Sequence, residues 1–126
     1  MIDDDPVELN LVEAALAPAG YVVLRAGGGE EGVNLVQREL PGLVLLDLLM
    51  PEVDGFAVIE RLRADPATAD IPIVVLTAKD MTAADRARLA GQISHLAQKG
   101  ACGRAELVEL VRNVGERAPL APEGLS

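Results

Sequence analysis

Five side chains of the 126-residue chain could do chemistry together: Asp3, Asp4, Asp47, Thr77 and Lys99. Three carboxylates gathered in one place repel one another unless a cation is present. Oxygen-only ligands of that charge suit Mg2+, which takes one or two carboxylates and keeps several waters rather than requiring a full protein cage. A threonine hydroxyl can donate to an anion, and a lysine ammonium can pair with one. Such a set would serve a phosphoryl group together with its metal.

The elements that would bring these residues together can be read from the apolar pattern. Leu43-Val44-Leu45-Leu46 is an unbroken run of branched apolar residues, which fits a strand buried on both faces, and Asp47 closes it. Pro51 and Gly55 stop that strand from continuing. Ile71 to Leu76 reads as another buried strand ending at Thr77, and Ser94 to Gln98 as a weaker one ending at Lys99. Tyr21 to Ala26 predicts a short strand, and Asp3 and Asp4 end the first.

Helices fill the intervals. Leu9, Val12 and Leu16 recur at helical spacing, with Asp5-Pro6 as cap and first turn and Pro18-Gly20 as the stop. Further helices are expected over Glu30–Glu39, around Phe56, Ile59 and Leu62, from Thr82 to about Gly91, and over Arg104–Glu116 with Leu107, Leu110, Val111 and Val114 inward. Strands separated by helices of this length pair in parallel, because each return needs a crossover. Ligands of such open sheets bind beyond the carboxyl ends of the strands, which is where every residue of the set falls.

Composition narrows the classes. The net charge of -9, from 20 acidic and 11 basic residues, opposes direct nucleic-acid binding, which needs clustered Lys and Arg. A single cysteine, Cys102, allows no internal disulfide and reads as an inert loop thiol. No apolar stretch approaches the roughly 20 residues of a spanning helix, and the acidic start lacks a signal peptide's basic region, so a soluble cytoplasmic protein is expected. Gly27-Gly28-Gly29 lacks the spacing of a phosphate cradle and reads as a turn. Asp54-Gly55 also reads as a turn and cap, His95 as an ordinary strand residue, and Glu30-Glu31 and Arg61–Arg63 as solvated helix faces.

Along nearly its whole length the chain resembles the receiver domain of two-component response regulators. The matching pieces are Ile2-Asp3-Asp4-Asp5-Pro6, the block from Leu45-Leu46-Asp47 through Met50-Pro51-Glu52-Val53-Asp54-Gly55-Phe56, the strand Ile73-Val74-Val75-Leu76-Thr77-Ala78, and Gln98-Lys99-Gly100. The resemblance implies a flavodoxin-like, doubly wound α/β fold, with a five-stranded parallel sheet of order 2-1-3-4-5 and helices on both faces. Residues 1–117 would form the receiver domain and 118–126 a tail or linker. Asp47 would be the phosphoacceptor, supplied by a sensor histidine kinase or a phosphotransfer protein. Asp4, Asp47 and the backbone carbonyl of Leu49 would ligate Mg2+, with Asp3 acting through water. Thr77 would hydrogen-bond the phosphoryl oxygen, Lys99 would pair with it, and Ala78 would leave room and offer a backbone N–H. The fourth helix, fifth strand and fifth helix would form the switching face and a possible homodimer surface, with no nucleic acid or membrane as direct partner.

Three features depart from the family pattern. Leu96 stands three residues before Lys99, where the family commonly carries a Tyr or Phe, and Gly100 follows the lysine in place of a frequent proline. Only Met1 and Ile2 precede Asp3, whereas a central strand needs about five residues. The first strand is therefore expected to be truncated, as if the chain started late. Two other functions compete. A haloacid-dehalogenase-like, Mg-dependent phosphohydrolase also uses an aspartate nucleophile at a strand end but needs a second Asp two residues on, where Leu49 stands. A degenerate receiver used only for docking would not need all five site residues.

Overall fold

The computed structural model describes residues 1–48, 55–77, 81–98 and 104–117. Five α-helices and three strands follow in the order α1 (Pro6–Leu16), α2 (Gly29–Glu39), β1 (Val44–Leu46), α3 (Gly55–Ala64), β2 (Ile73–Thr77), α4 (Ala83–Leu89), β3 (His95–Gln98) and α5 (Arg104–Arg117), with a 3-10 turn at Ala17–Ala19. The strands form one parallel sheet, β1-β2-β3. Val44 pairs with Ile73, and Val75 pairs with both Leu46 and Leu96.

Both faces of this sheet are covered, and strand alternation sorts the apolar side chains between them. Val44, Leu46, Ile73 and Val75 point to a core shared with Val33 and Val36 of α2 and with Phe56, Val58, Ile59 and Leu62 of α3. Leu45, Val74 and Leu76 point the other way, to Val12, Ala15 and Leu16 of α1 and to Leu107, Val111 and Val114 of α5. This is the doubly wound α/β arrangement expected from the apolar pattern. The caps behave as their residues dictate: Asp5 accepts from the Val7 N–H at 2.9 Å, and Thr82 and Asp85 form a reciprocal capping box on α4.

The sheet is shorter on one side than the five-stranded expectation. The first strand is reduced to Ile2, which bridges in parallel to Ala26 on one side and to Leu46 on the other. Tyr21–Ala26, expected as a strand, joins the ladder only at Ala26, and among the described residues none of the N–H groups of residues 22–25 makes a backbone hydrogen bond. A strand is defined by its partner, and among the described residues this segment is met there by Met1, through the Leu24 carbonyl and the Ala26 N–H, and by the Ile2 bridge. Val22 is accordingly 90% exposed.

The basic face of α3 needs correction. Arg61 is solvated, reaching Glu30 at 2.6 Å. Arg63 instead folds back over the end of the helix, donating to the carbonyls of Gln92, Ala69 and Ile71 at 2.9, 2.7 and 2.8 Å. Loop carbonyls beyond a helix end lack backbone donors, and a long aliphatic stem lets a guanidinium supply them while staying partly buried. That burial lowers its pKa, against the opposing charge of Asp70.

Two outcomes follow from how Met1 and Ile2 are held. Gly32 of α2 packs on Ile2 so closely that an added Cβ would lie 2.6 to 2.8 Å from three of its carbons. Helix propensity favours alanine by about 1 kcal/mol, whereas overpacking costs about 1–3 kcal/mol. Gly32→Ala should therefore lose about 1 kcal/mol, read as a lower urea midpoint at unchanged slope. The Met1 amine donates to the Leu24 carbonyl at 2.6 Å, and burial lowers its pKa from the ordinary 8.0 to about 6. The unfolded chain then binds more protons than the folded one between pH 6 and 8, so stability rises across that window and levels off above it. The gain is on the order of 2 kcal/mol. Urea midpoints measured from pH 6 to 8 on the 126-residue chain with a free amine should show it, and Nα-acetylation should remove it.

Candidate functional site

The Ile2 bridges place two carboxylates side by side. The Asp47 N–H donates to the Ile2 carbonyl at 3.0 Å, and the Asp3 N–H donates to the Ala26 carbonyl at 3.0 Å. Asp3 thus follows Ile2 at the same edge where Asp47 follows β1. Both are buried, at 0% and 3% exposure, while Asp4 beside them is exposed. One carboxylate oxygen from each of Asp3, Asp4 and Asp47 lies within 4.8 Å of the others.

Like charges at that separation repel by roughly 3 kcal/mol per pair at an effective dielectric near 20, before solvent screening at Asp4 is counted. A divalent cation reverses the sign of that interaction. The donor set fits Mg2+ better than zinc or a softer metal, since every ligand is a carboxylate oxygen and one side of the site opens to water through Asp4.

Thr77, 1% exposed, ends β2 at the same edge. The register pairs Leu46 with Val75, so Asp47 and Thr77 each leave the sheet within two residues of that pair. Leu49, Ala78 and Lys99 lie outside the described residues, as do Asp54, Gly100 and Cys102. Leu96 lies in β3, half-buried and packed against the α2–α3 core.

Two residues with a part in the site were read from sequence only as capping or turning residues. Asp5 caps α1, and its own N–H also donates to Asp3 Oδ1 at 3.0 Å, fixing the carboxylate it follows. Gly55 opens α3, its N–H donating to the Leu48 carbonyl at 3.2 Å. A Cβ there would stand 2.6 Å from Leu48 Cα and 2.7 Å from the Asp47 carbonyl oxygen, so only glycine lets α3 begin against the backbone of Asp47. Spacing alone signals a turn at Gly55; the close approach depends on where α3 packs.

Comparison with known proteins agrees with this arrangement. The family profile of the response regulator receiver domain matches residues 1–112. The DNA-binding dual master transcriptional regulator RpaA of Synechocystis sp. is 50% identical over 78 residues, 62% of this chain and 32% of that protein. The matched part thus spans about a third of the length of this relative. A putative response regulator from Chloroflexus aurantiacus superimposes with a TM-score of 0.82 at 34% identity, covering 92% of this chain and 94% of the other. The receiver domain of sensor histidine kinase PA1611 from Pseudomonas aeruginosa, which holds a magnesium ion in its active-site cleft, gives 0.82 at 26% identity over 91% and 93%. Nothing in these matches favours a haloacid-dehalogenase-like hydrolase. A profile match over that length shows that this chain belongs to the response regulator receiver domains.

Proposed function

We propose that the chain is a phosphorylation-controlled signalling module in which Asp47 takes a phosphoryl group from a phosphohistidine on a sensor kinase or phosphotransfer protein. The observation that carries this reading is the buried Asp47 carboxylate at the end of β1, with ligand oxygens of Asp3 and Asp4 beside it. A carboxylate oxygen of Asp47 forms the new P–O bond as the P–N bond breaks, and the departing imidazole nitrogen keeps the electron pair and takes a proton. Attack of water on phosphorus later releases inorganic phosphate and restores the carboxylate. The chain would thus catalyse only the making and breaking of its own acyl phosphate.

Thr77 is assigned the hydrogen bond to the phosphoryl oxygen, Lys99 the ion pair with it, and Ala78 the small side chain and N–H beside it. A bound Mg2+, held by Asp4, Asp47 and the Leu49 carbonyl with Asp3 acting through water, would supply positive charge against the carboxylates and the phosphoryl oxygens. The face formed by α4, β3 and α5 is assigned to output, with a homodimer through it as one form that output could take. The acidic balance argues against nucleic acid as a direct ligand. RpaA is named as a DNA-binding regulator, and that property is not carried over to this chain. Among the described residues no helix is long and apolar enough to cross a membrane, and a cytoplasmic setting suits the proposed phosphohistidine donor.

Two measurements test the reading. Mg2+ should raise the thermal midpoint through mass action, by the equivalent of about 2.7 kcal/mol at 100 times its dissociation constant. Asp47→Asn should lose most of that rise. With Mg2+ and acetyl phosphate the parent chain should acquire one base-labile phosphoryl adduct, visible by mass spectrometry. An adduct that persists in Asp47→Asn would refute the assignment of the phosphoacceptor, and sustained turnover of a small phosphoester would favour a hydrolase instead.

A further inference from the structure

Helix α4 is the least embedded helix on its side of the sheet. Of its seven residues, Ala83–Leu89, only Leu89 is buried. A helix this short does not persist on its own and must be held by tertiary contacts. Three such attachments run to α3. Leu89 enters the core that contains Phe56 and Ile59. The Arg88 guanidinium lies 4.1 Å from the centroid of the Phe56 ring, and its terminal nitrogen is 3.9 Å from Glu60. In the turn after the helix, the Gln92 carbonyl accepts from Arg63 Nε at 2.9 Å.

Helix α3, in turn, starts at the phosphoacceptor. Gly55 sits against the Asp47 carbonyl and Leu48 Cα with no room for a Cβ, and Phe56, buried at 7% exposure, is the next residue. Close-packed contacts of this kind transmit a backbone shift rather than absorb it. A displacement at Asp47 and Leu48 therefore moves the Phe56 ring, and the ring carries Arg88. The chain has one other aromatic residue, Tyr21, and it packs on the opposite face of the sheet, with α1 and α5. At Leu96 there is no ring to swing.

We infer that Arg88, stacked on Phe56, is the positioning residue through which α4 follows the state of Asp47. This rests on the reading of Asp47 as phosphoacceptor and names the route by which that state reaches α4. The exposed pair with Glu60, at 3.9 Å, adds little to the contact. The cation–π contact is of a class that shifts a two-state equilibrium by about two- to fivefold at a half-exposed site, which is enough to bias a helix held by one buried side chain.

Amide chemical shifts of the full 15N-labelled chain, recorded before and after addition of Mg2+ and beryllofluoride, test it. In the parent, the amides of Asp47 and Thr77 and those of residues 83–89 should move. In Arg88→Gln, Asp47 and Thr77 should respond as in the parent, while the shifts over residues 83–89 fall by about twofold or more. Arg88→Lys should keep more than half of the parent response, because an ammonium can still sit over the ring. Phe56→Trp gives a second reading: the introduced indole, in a chain without tryptophan, should change fluorescence with beryllofluoride, and change it less when combined with Arg88→Gln. An unchanged α4 response in Arg88→Gln would overturn the inference, as would a parent in which Asp47 responds and residues 83–89 do not. A parent in which Asp47 itself fails to respond would overturn the phosphoacceptor reading, and this inference with it.

Discussion

Two backbone hydrogen bonds hold the acidic edge together: Asp47 N–H to the Ile2 carbonyl, and Asp3 N–H to the Ala26 carbonyl. Each is ordinary in strength, and a typical intramolecular hydrogen bond contributes only about 1 kcal/mol net. Their importance is geometric. The first, with Ile2 N–H to the Leu45 carbonyl at 2.8 Å, sets the register of Ile2 against Leu46, and the second sets that of Ile2 against Ala26; register decides whether Asp3 and Asp47 share one edge or face away from each other. Among the described residues the bridges at the central position of the sheet are those of Ile2, so the seating of that side chain bears directly on the register. Ile2 is 1% exposed and wedged against Gly32, and its burial does for the site what a longer ladder does elsewhere.

The rest of the fold supports this from the other side. β1 and β2 are buried at every position, and their side chains divide between the α2–α3 layer and the α1–α5 layer. Burying a residue such as Leu46 or Val74 is worth about 1.5–3 kcal/mol, far more than an edge hydrogen bond, so the placement of β1 is settled by packing. Asp47 inherits that placement. Carboxylates gathered within 4.8 Å of one another oppose folding when no cation is present, and the apolar layers outweigh that opposition. A site of this kind is affordable only at the end of a strand whose position is already decided.

Much of this was legible in the residues. Unbroken apolar runs marked β1 and β2, because a strand covered on both faces has no polar side to alternate with. Helical spacing marked α1, α3 and α5, and residues that close such runs had to meet at one edge, which brought Asp3, Asp47 and Thr77 forward. What stayed illegible depended on partners distant in sequence. Tyr21–Arg25 carries strand-forming residues and yet is not a strand, since pairing is a property of two segments and propensity belongs to one. Arg63 looked like a solvated charge because sequence does not show that the carbonyls of Ala69, Ile71 and Gln92 converge on it. Gly55 looked like a turn because its approach to the Asp47 carbonyl is set by the packing of α3.

These unequal strengths also bear on how such a module can change state. Stability is not uniform across a fold, and elements that move are drawn from its weakly held parts. Here α3 is tied into the core by four buried side chains and α2 by Val33 and Val36, whereas α4 contributes Leu89 alone. A charge change at Asp47 worth a few kcal/mol can shift α3 and its Phe56 ring only as a packed unit, without opening the core around Val58, Ile59 and Leu62. It could reposition α4 while that core stays closed. The contacts from α3 to α4 and to the turn that follows it, through Arg88 and Gln92, therefore connect a part of the fold that shifts only as a packed unit with a part loose enough to be repositioned. That difference in burial, rather than any single residue of the acidic edge, determines where a chemical event at Asp47 can become a change of shape.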